Sequence, residues 1–128
     1  MKLLLDTHAL LWFYLDAPQL SGTARSLMID PSHSKFVSPA SYWEIAIKIG
    51  KQQYSLTKPY EDAMREAIDL NGFGYLHIYP KHTALLTTLP PHHKDPFDRL
   101  LVAQAMSEAI PVVSCDAILD KYRIQRIW

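Results

Sequence analysis

Only one of the 128 residues is a cysteine, Cys115, which excludes an intrachain disulfide and a cysteine-cluster metal site. No apolar run approaches the roughly 20 residues that a membrane-spanning helix requires. The apolar start, Leu3-Leu4-Leu5, is interrupted by Asp6 and His8 and is followed by no small-residue cleavage site, so we do not read it as a signal peptide. Together with the single thiol, this leads us to expect a cytoplasmic chain. Charge of one sign is also missing, since 13 Lys and Arg balance 13 Asp and Glu. A nucleic-acid binder usually shows a basic surplus. Acids gathered in one cation-holding cleft would leave the remaining surface net basic, however, so the total decides little. Repeats, low-complexity tracts and linkers are absent as well. We expect one domain over residues 1–128, with 48% hydrophobic and 20% charged residues, a composition ordinary for a soluble globular protein.

What the chain does have is alternation. Lys2–Leu5 reads as a buried strand, and Thr7–Leu15 as a helix ended by Ala17-Pro18. Ser21–Ile29 reads as a helix with Ser21 as its cap, and Lys35–Val37 as a short strand. Ser38-Pro39 opens a helix reaching Ile49 or Gly50. Tyr60–Leu70 is helical, closed by Asn71-Gly72, and Tyr75–Ile78 is a strand. Lys81–Leu89 is a helix stopped by Pro90-Pro91, and Asp95-Pro96 starts another that extends to about Ala109. Val112–Ser114 is a strand, Ala117–Lys121 a short helix and Gln125–Ile127 an edge strand. Short apolar runs alternating with helical patterns predict a three-layer α/β/α sandwich around a parallel sheet of about five strands.

In such sheets ligands bind outside the carboxyl ends of the strands. Asp6 follows the first strand and Asp116 follows Val112–Ser114, so both emerge there. A helix running antiparallel to the next strand begins level with that strand's carboxyl end. Asp98, in the first turn of the helix leading to Val112, therefore belongs to the same edge. In the helix from Ser38, the polar residues Ser41, Glu44 and Lys48 are spaced by three and four and form one narrow stripe on an otherwise apolar surface. An exposed Glu44–Lys48 pair is the plain account. A helix this apolar is buried on most sides, though, and its polar seam suits a cleft better.

Each acid has a structural role to compete with. Asp95 reads as an N-cap followed by Pro96, with Asp98 meeting the helix dipole; Asp6 and Asp116 also precede helices. Singly, capping explains them. Together, three carboxylates on one edge and a fourth on an inward seam would repel unless a cation neutralised them. Oxygen-only ligands favour Mg²⁺ or Mn²⁺ over Zn²⁺. Carboxylate-held ions of this kind suit phosphodiester hydrolysis, with one ion or two left open.

The segments LLLDTHALLW, SPASYWEIAIKIGK, HHKDPFDRLLVAQA and VVSCDAILDKY, taken in that order over essentially the whole chain, strongly resemble PIN-domain ribonucleases. The resemblance is to VapC-like toxins of bacterial toxin–antitoxin pairs. It implies that Asp6, Glu44, Asp98 and Asp116 form an acidic metal-binding set, with Asp95 beside it and in reach of the ion through water. It further implies Mg²⁺- or Mn²⁺-dependent cleavage of RNA, a homodimer and a small antitoxin partner. Where the family often has Thr two residues before the last acid, this chain has Ser114, which keeps the hydroxyl.

Other features have plainer readings. His92-His93-Lys94 reads as a solvated loop near a phosphate, because neighbouring histidines point apart and no second pair completes a zinc site. Lys48, Lys51, Lys94 and Arg99 flank the proposed cleft and are candidates for RNA phosphate contacts. Of Trp12-Phe13-Tyr14, at least one ring should be exposed and mark an interface. The charges at Glu61, Asp62, Arg65, Glu66 and Asp69 read as a solvated face. The competing function is a non-catalytic PIN-like module that binds RNA or protein, its acids serving only as caps. A phosphoaspartyl phosphatase is set aside, since His8 stands where a second acid is needed.

Overall fold

Leu3, Leu4 and Leu5 are wholly buried in the first strand, β1 (Lys2–Leu5), because that strand is central. The computed structural model describes residues 1–128. In it β2 (Ser34–Val37), β3 (Gly74–Tyr75), β4 (Val112–Val113) and β5 (Arg126–Ile127) complete a five-stranded sheet in the order β3-β2-β1-β4-β5. All pairings are parallel. Successive side chains of a strand face opposite ways, and β1 shows the result. Leu3 and Leu5 join one core with Leu10 of α1 (Thr7–Tyr14), Met28 of α2 (Gly22–Ile29), Ile45 of α3 (Pro39–Gly50) and Met64 of α4 (Tyr60–Met64). Leu4 points the other way. It packs with Leu101, Val102 and Ala105 of α6 (Pro96–Glu108), against which α5 (Pro80–Leu86) also lies. The expected three layers are therefore present.

The chain leaves β1 for β2 and β3 on one side, then crosses to β4 and β5 on the other. The direction of winding thus changes between β1 and β4, where Leu5 lies opposite Val113. The Asp6 N–H bonds the Val113 carbonyl at 3.1 Å. A crevice opens at such a switch point beyond the carboxyl ends of the strands.

Four local expectations are corrected. The strand expected over Tyr75–Ile78 ends at Tyr75, because the carbonyls of Leu76 and His77 instead accept the buried Gln104 side-chain N–H at 3.0 and 3.4 Å. The helix expected over Tyr60–Leu70 is α-helical only to Met64 and continues as a π turn over Arg65–Asp69. Asn71 closes it by donating to the Ala67 carbonyl at 2.9 Å, and Gly72 follows with φ 70°, a conformation that suits glycine. None of Trp12, Phe13 and Tyr14 is exposed: all three are half-buried against the first core. Trp12 packs on Trp128, Phe13 on Phe73, and the Tyr14 hydroxyl donates to Glu66 at 2.7 Å. Glu66 is for that reason not simply solvated, whereas Asp69 is exposed as expected and accepts the Tyr75 hydroxyl at 2.6 Å.

Candidate metal centre at the strand switch

Asp6 ends β1 and caps α1, its Oδ1 accepting the Ala9 N–H at 2.7 Å. Asp116 follows β4 and caps a 3-10 turn over Ala117–Lys121, its Oδ1 accepting the Ile118 N–H at 3.0 Å. Asp95 caps α6, its Oδ1 accepting the N–H groups of Phe97 at 2.8 Å and Asp98 at 3.3 Å. Pro96 occupies the first turn, as the DPFD spacing predicts. Capping and clustering therefore coexist. Oδ1 of each acid satisfies a helix start, and its second oxygen is left for other partners.

Glu44 reaches the same place from α3. Its side chain is 5% exposed, and Oε1 accepts the Thr7 hydroxyl at 2.6 Å. Lys48 lies 2.9 Å from Oε2 and also donates to the Tyr54 hydroxyl at 3.3 Å. The hydrogen bond that Lys48 donates to Glu44 is the main reason its ammonium is pushed up to about 12. Ser41, one turn earlier, is fully buried, and its hydroxyl has no protein partner. The polar stripe of α3 thus lies inside the fold and not in open water.

The carboxyls sense one another. Burial, followed by the charge of Asp95 and then those of Glu44 and Asp6, pushes Asp98 up to about 7, with His93 working in the opposite direction. Burial also raises Asp6, as does the charge of Asp116, against hydrogen bonds from Ser114 and Ala9 and the charge of His8. Asp6, Glu44, Asp95, Asp98 and Asp116 therefore share one electrostatic neighbourhood. Negative charge in it exceeds what the surrounding side chains neutralise. An oxygen-rich donor set of that kind fits a hard divalent cation.

His93 is the residue that sequence reasoning missed. Instead of lying in a solvated loop, its ring enters the cluster. Nε2 is 2.6 Å from Asp116 Oδ2 and 3.3 Å from Asp98 Oδ2, and the ligand atoms of the three residues all lie within 4.8 Å of one another. Neighbouring histidines do point apart: His92 is exposed and meets the Tyr122 ring edge-on at 5.1 Å. What the sequence does carry is position. A histidine two residues before an N-cap can accept the cap residue's own N–H, and the Asp95 N–H does donate to His93 Nδ1 at 3.1 Å.

Of the four flanking cations, Lys48 is at the site, paired with Glu44. Lys51 and Lys94 are exposed and pair with no site carboxylate. Arg99 departs from expectation. Its guanidinium donates to the carbonyls of Leu89 at 3.1 Å, Pro90 at 3.0 Å and His93 at 3.3 Å. It holds the loop before α6, and it is not a free cation for phosphate.

A family model for the PIN domain matches residues 3–125. The chain belongs to the PIN domain family. Solved structures share its architecture. One is VapBC2 from Rickettsia felis bound to a DNA fragment from their promoter, with 17% identity, 100% of this chain and 99% of that chain covered, and a TM-score of 0.71. Another is VapBC-1 from nontypeable Haemophilus influenzae, with 16% identity, 99% and 97% covered, and a TM-score of 0.62. A third is FitAB bound to the IR36 DNA fragment, with 15% identity, 98% and 93% covered, and a TM-score of 0.64. No curated protein matches the chain. At these identities the likeness is one of fold.

Proposed function

We propose that residues 1–128 form a single PIN domain acting as a metal-dependent endoribonuclease, the toxin of a toxin–antitoxin pair. The observation that carries this reading is the convergence of acids from separate elements at the carboxyl edge of the sheet, where Asp98 and Asp116 have ligand atoms within 4.8 Å of each other and of His93. Burial and the charges of Asp95, Glu44 and Asp6 also push the Asp98 carboxyl up to about 7, a shift of the kind that clusters at functional sites. Asp6, Glu44 and Asp98 would hold Mg²⁺ or Mn²⁺, with Asp116 beside them and Asp95 in reach through water. The buried, unpartnered Ser41 hydroxyl near Glu44 is one more oxygen donor that fits such a group. A divalent cation there would supply Lewis-acid neutralisation of the phosphodiester charge.

The chain's own residues do the rest. Thr7 and Lys48 hold Glu44 in one orientation, while the helix starts hold Asp6 and Asp116. Lys51 and Lys94, exposed and without an ion pair, would contact RNA phosphates, and Lys48 lies beside Glu44. The family membership and the fold shared with VapBC and FitAB support a small antitoxin as partner, a homodimer and a cytoplasmic setting.

One observation favours the second reading, a PIN-like module that binds without cutting. Lys48 and His93 already partner three of the acids. Incubation of a mixed RNA pool with the protein, with and without Mn²⁺, separates the two. New ends that require Mn²⁺ and vanish in Asp98→Asn support the nuclease; an unchanged pool with added Mn²⁺ overturns it. Growth arrest on expression, relieved by Asp6→Asn or Asp98→Asn, tests the toxin role, and equal arrest by the substituted forms counts against it.

A further inference from the structure

The position between Asp98 Oδ2 and Asp116 Oδ2 is filled by a protein group. His93 Nε2 stands 3.3 Å from the first and 2.6 Å from the second. A cation bridging two carboxylates sits about 2.0–2.6 Å from each oxygen, so the ring nitrogen and a bridging ion compete for one place. The ring is not loosely seated. Nδ1 accepts the Asp95 N–H at 3.1 Å, and the His93 N–H donates to the Tyr122 hydroxyl at 2.8 Å. The His93 carbonyl accepts Arg99 at 3.3 Å, and the Tyr122 hydroxyl donates in turn to the Pro90 carbonyl at 2.8 Å.

The bond at Nδ1 also assigns the tautomer. A ring nitrogen that accepts a backbone N–H carries no proton, so the ring's proton lies on Nε2 and is donated to Asp116, with Asp98 as the longer second acceptor. Ligation of a metal through Nε2 would require that proton to move to Nδ1, where it would meet the Asp95 N–H head-on. In this seat His93 is a donor to the acids and not a ligand.

We infer that His93 is a positioning residue that takes the place of a second cation between Asp98 and Asp116, so that the centre binds one divalent ion. Asp116 is withheld from bridging by its bond to His93. The inference rests on the metal-dependent reading above, and deepens it by assigning the number of ions and the group that sets it.

Titration calorimetry of the full chain with Mn²⁺, with free Mn²⁺ counted in parallel by electron paramagnetic resonance, tests this without reference to cleavage. The wild type is expected to bind one equivalent. His93→Ala leaves Asp98 and Asp116 facing each other with no donor between them, and is expected to bind two. His93→Ala with Asp116→Asn is expected to return to one. Asp116→Asn alone keeps the loop bonds through His93 and is expected to stay at one; two equivalents in this variant would overturn the inference even if the alanine variant folds poorly. Two equivalents in the wild type, one in His93→Ala, or loss of all binding in His93→Ala with folding intact would each overturn the inference. Binding by neither wild type nor variants overturns the metal-dependent reading itself, and this inference with it.

Discussion

The Thr7 hydroxyl donates a 2.6 Å hydrogen bond to Oε1 of Glu44, joining the first turn of α1 to the middle of α3 across a buried interface. Thr7 is 3% exposed and Glu44 4%, so neither group has water to replace the other. Hydrogen bonds to charged groups contribute about 1.5–3 kcal/mol. Thr7→Val keeps the volume and removes the donor. We expect a loss in that range, read as a lower midpoint in urea unfolding, together with weaker Mn²⁺ binding because Glu44 loses its orientation. An unchanged midpoint would show that Lys48 alone secures Glu44.

Asp98 gives a pH dependence of defined sign. Its carboxyl is raised from 3.8 to about 7 in the folded chain, so the native state retains a proton that the unfolded chain releases. A group of this kind lowers stability as pH rises. Its unfavourable effect is absent below about 4, grows through the interval up to about 7, and is complete above that. Asp98→Asn is expected to raise the melting temperature at pH 8 and to flatten the decline between pH 4 and 7. The effect is of order 1–3 kcal/mol after allowance for partial exposure. Mn²⁺ is expected to stabilise the wild type at pH 8 and to have little effect on this variant. Thermal melts across pH, with and without Mn²⁺, check both statements.

Asp95 separates capping from chemistry within DPFD. Its Oδ1 bonds two backbone N–H groups at the start of α6, a role whose loss costs about 1 kcal/mol. Asp95→Ala is expected to lower stability by that amount and to retain Mn²⁺-dependent cleavage, whereas Asp98→Asn abolishes cleavage. Complete loss of cleavage in a folded Asp95→Ala protein would promote Asp95 to a direct ligand.

Arg99 holds the loop that carries His93 through three carbonyls, those of Leu89, Pro90 and His93. Lysine presents a single ammonium and does not reproduce the planar fork. Arg99→Lys is expected to speed amide hydrogen exchange over residues 89–95 and to leave exchange in the central strand β1 unchanged. Equal exchange in the loop would show that Tyr122 is sufficient to hold it.

The fold was legible wherever one physical rule had no rival. An apolar run followed at once by Asp6 can only be a buried strand delivering an acid to the sheet edge, and the same holds for Val112-Val113 ahead of Asp116. The spacing of Ser41, Glu44 and Lys48 showed the buried seam of α3. Where two rules compete, the chain alone does not choose. Nothing near Arg65 marks the change from α to π spacing, and the end of β3 depends on Gln104, which lies far along the chain. The three rings from Trp12 to Tyr14 escape exposure through partners at Phe73, Glu66 and Trp128 that only the fold brings near. His93 was hidden for the same reason. A histidine pair in a polar loop looks solvated until Arg99 and Tyr122 are seen to draw the loop inward.

Asp6, Asp95 and Asp116 each close the start of a helical segment with one carboxylate oxygen. The backbone therefore holds these like charges side by side before any ion or nucleic acid arrives, and the amides at the helix starts meet part of the repulsion. Formation of the secondary structure is, for this protein, also assembly of its acidic centre. If the proposed metal-dependent cleavage holds, a chelator is expected to abolish it and still leave a folded chain, ready to be recharged by a fresh supply of ions.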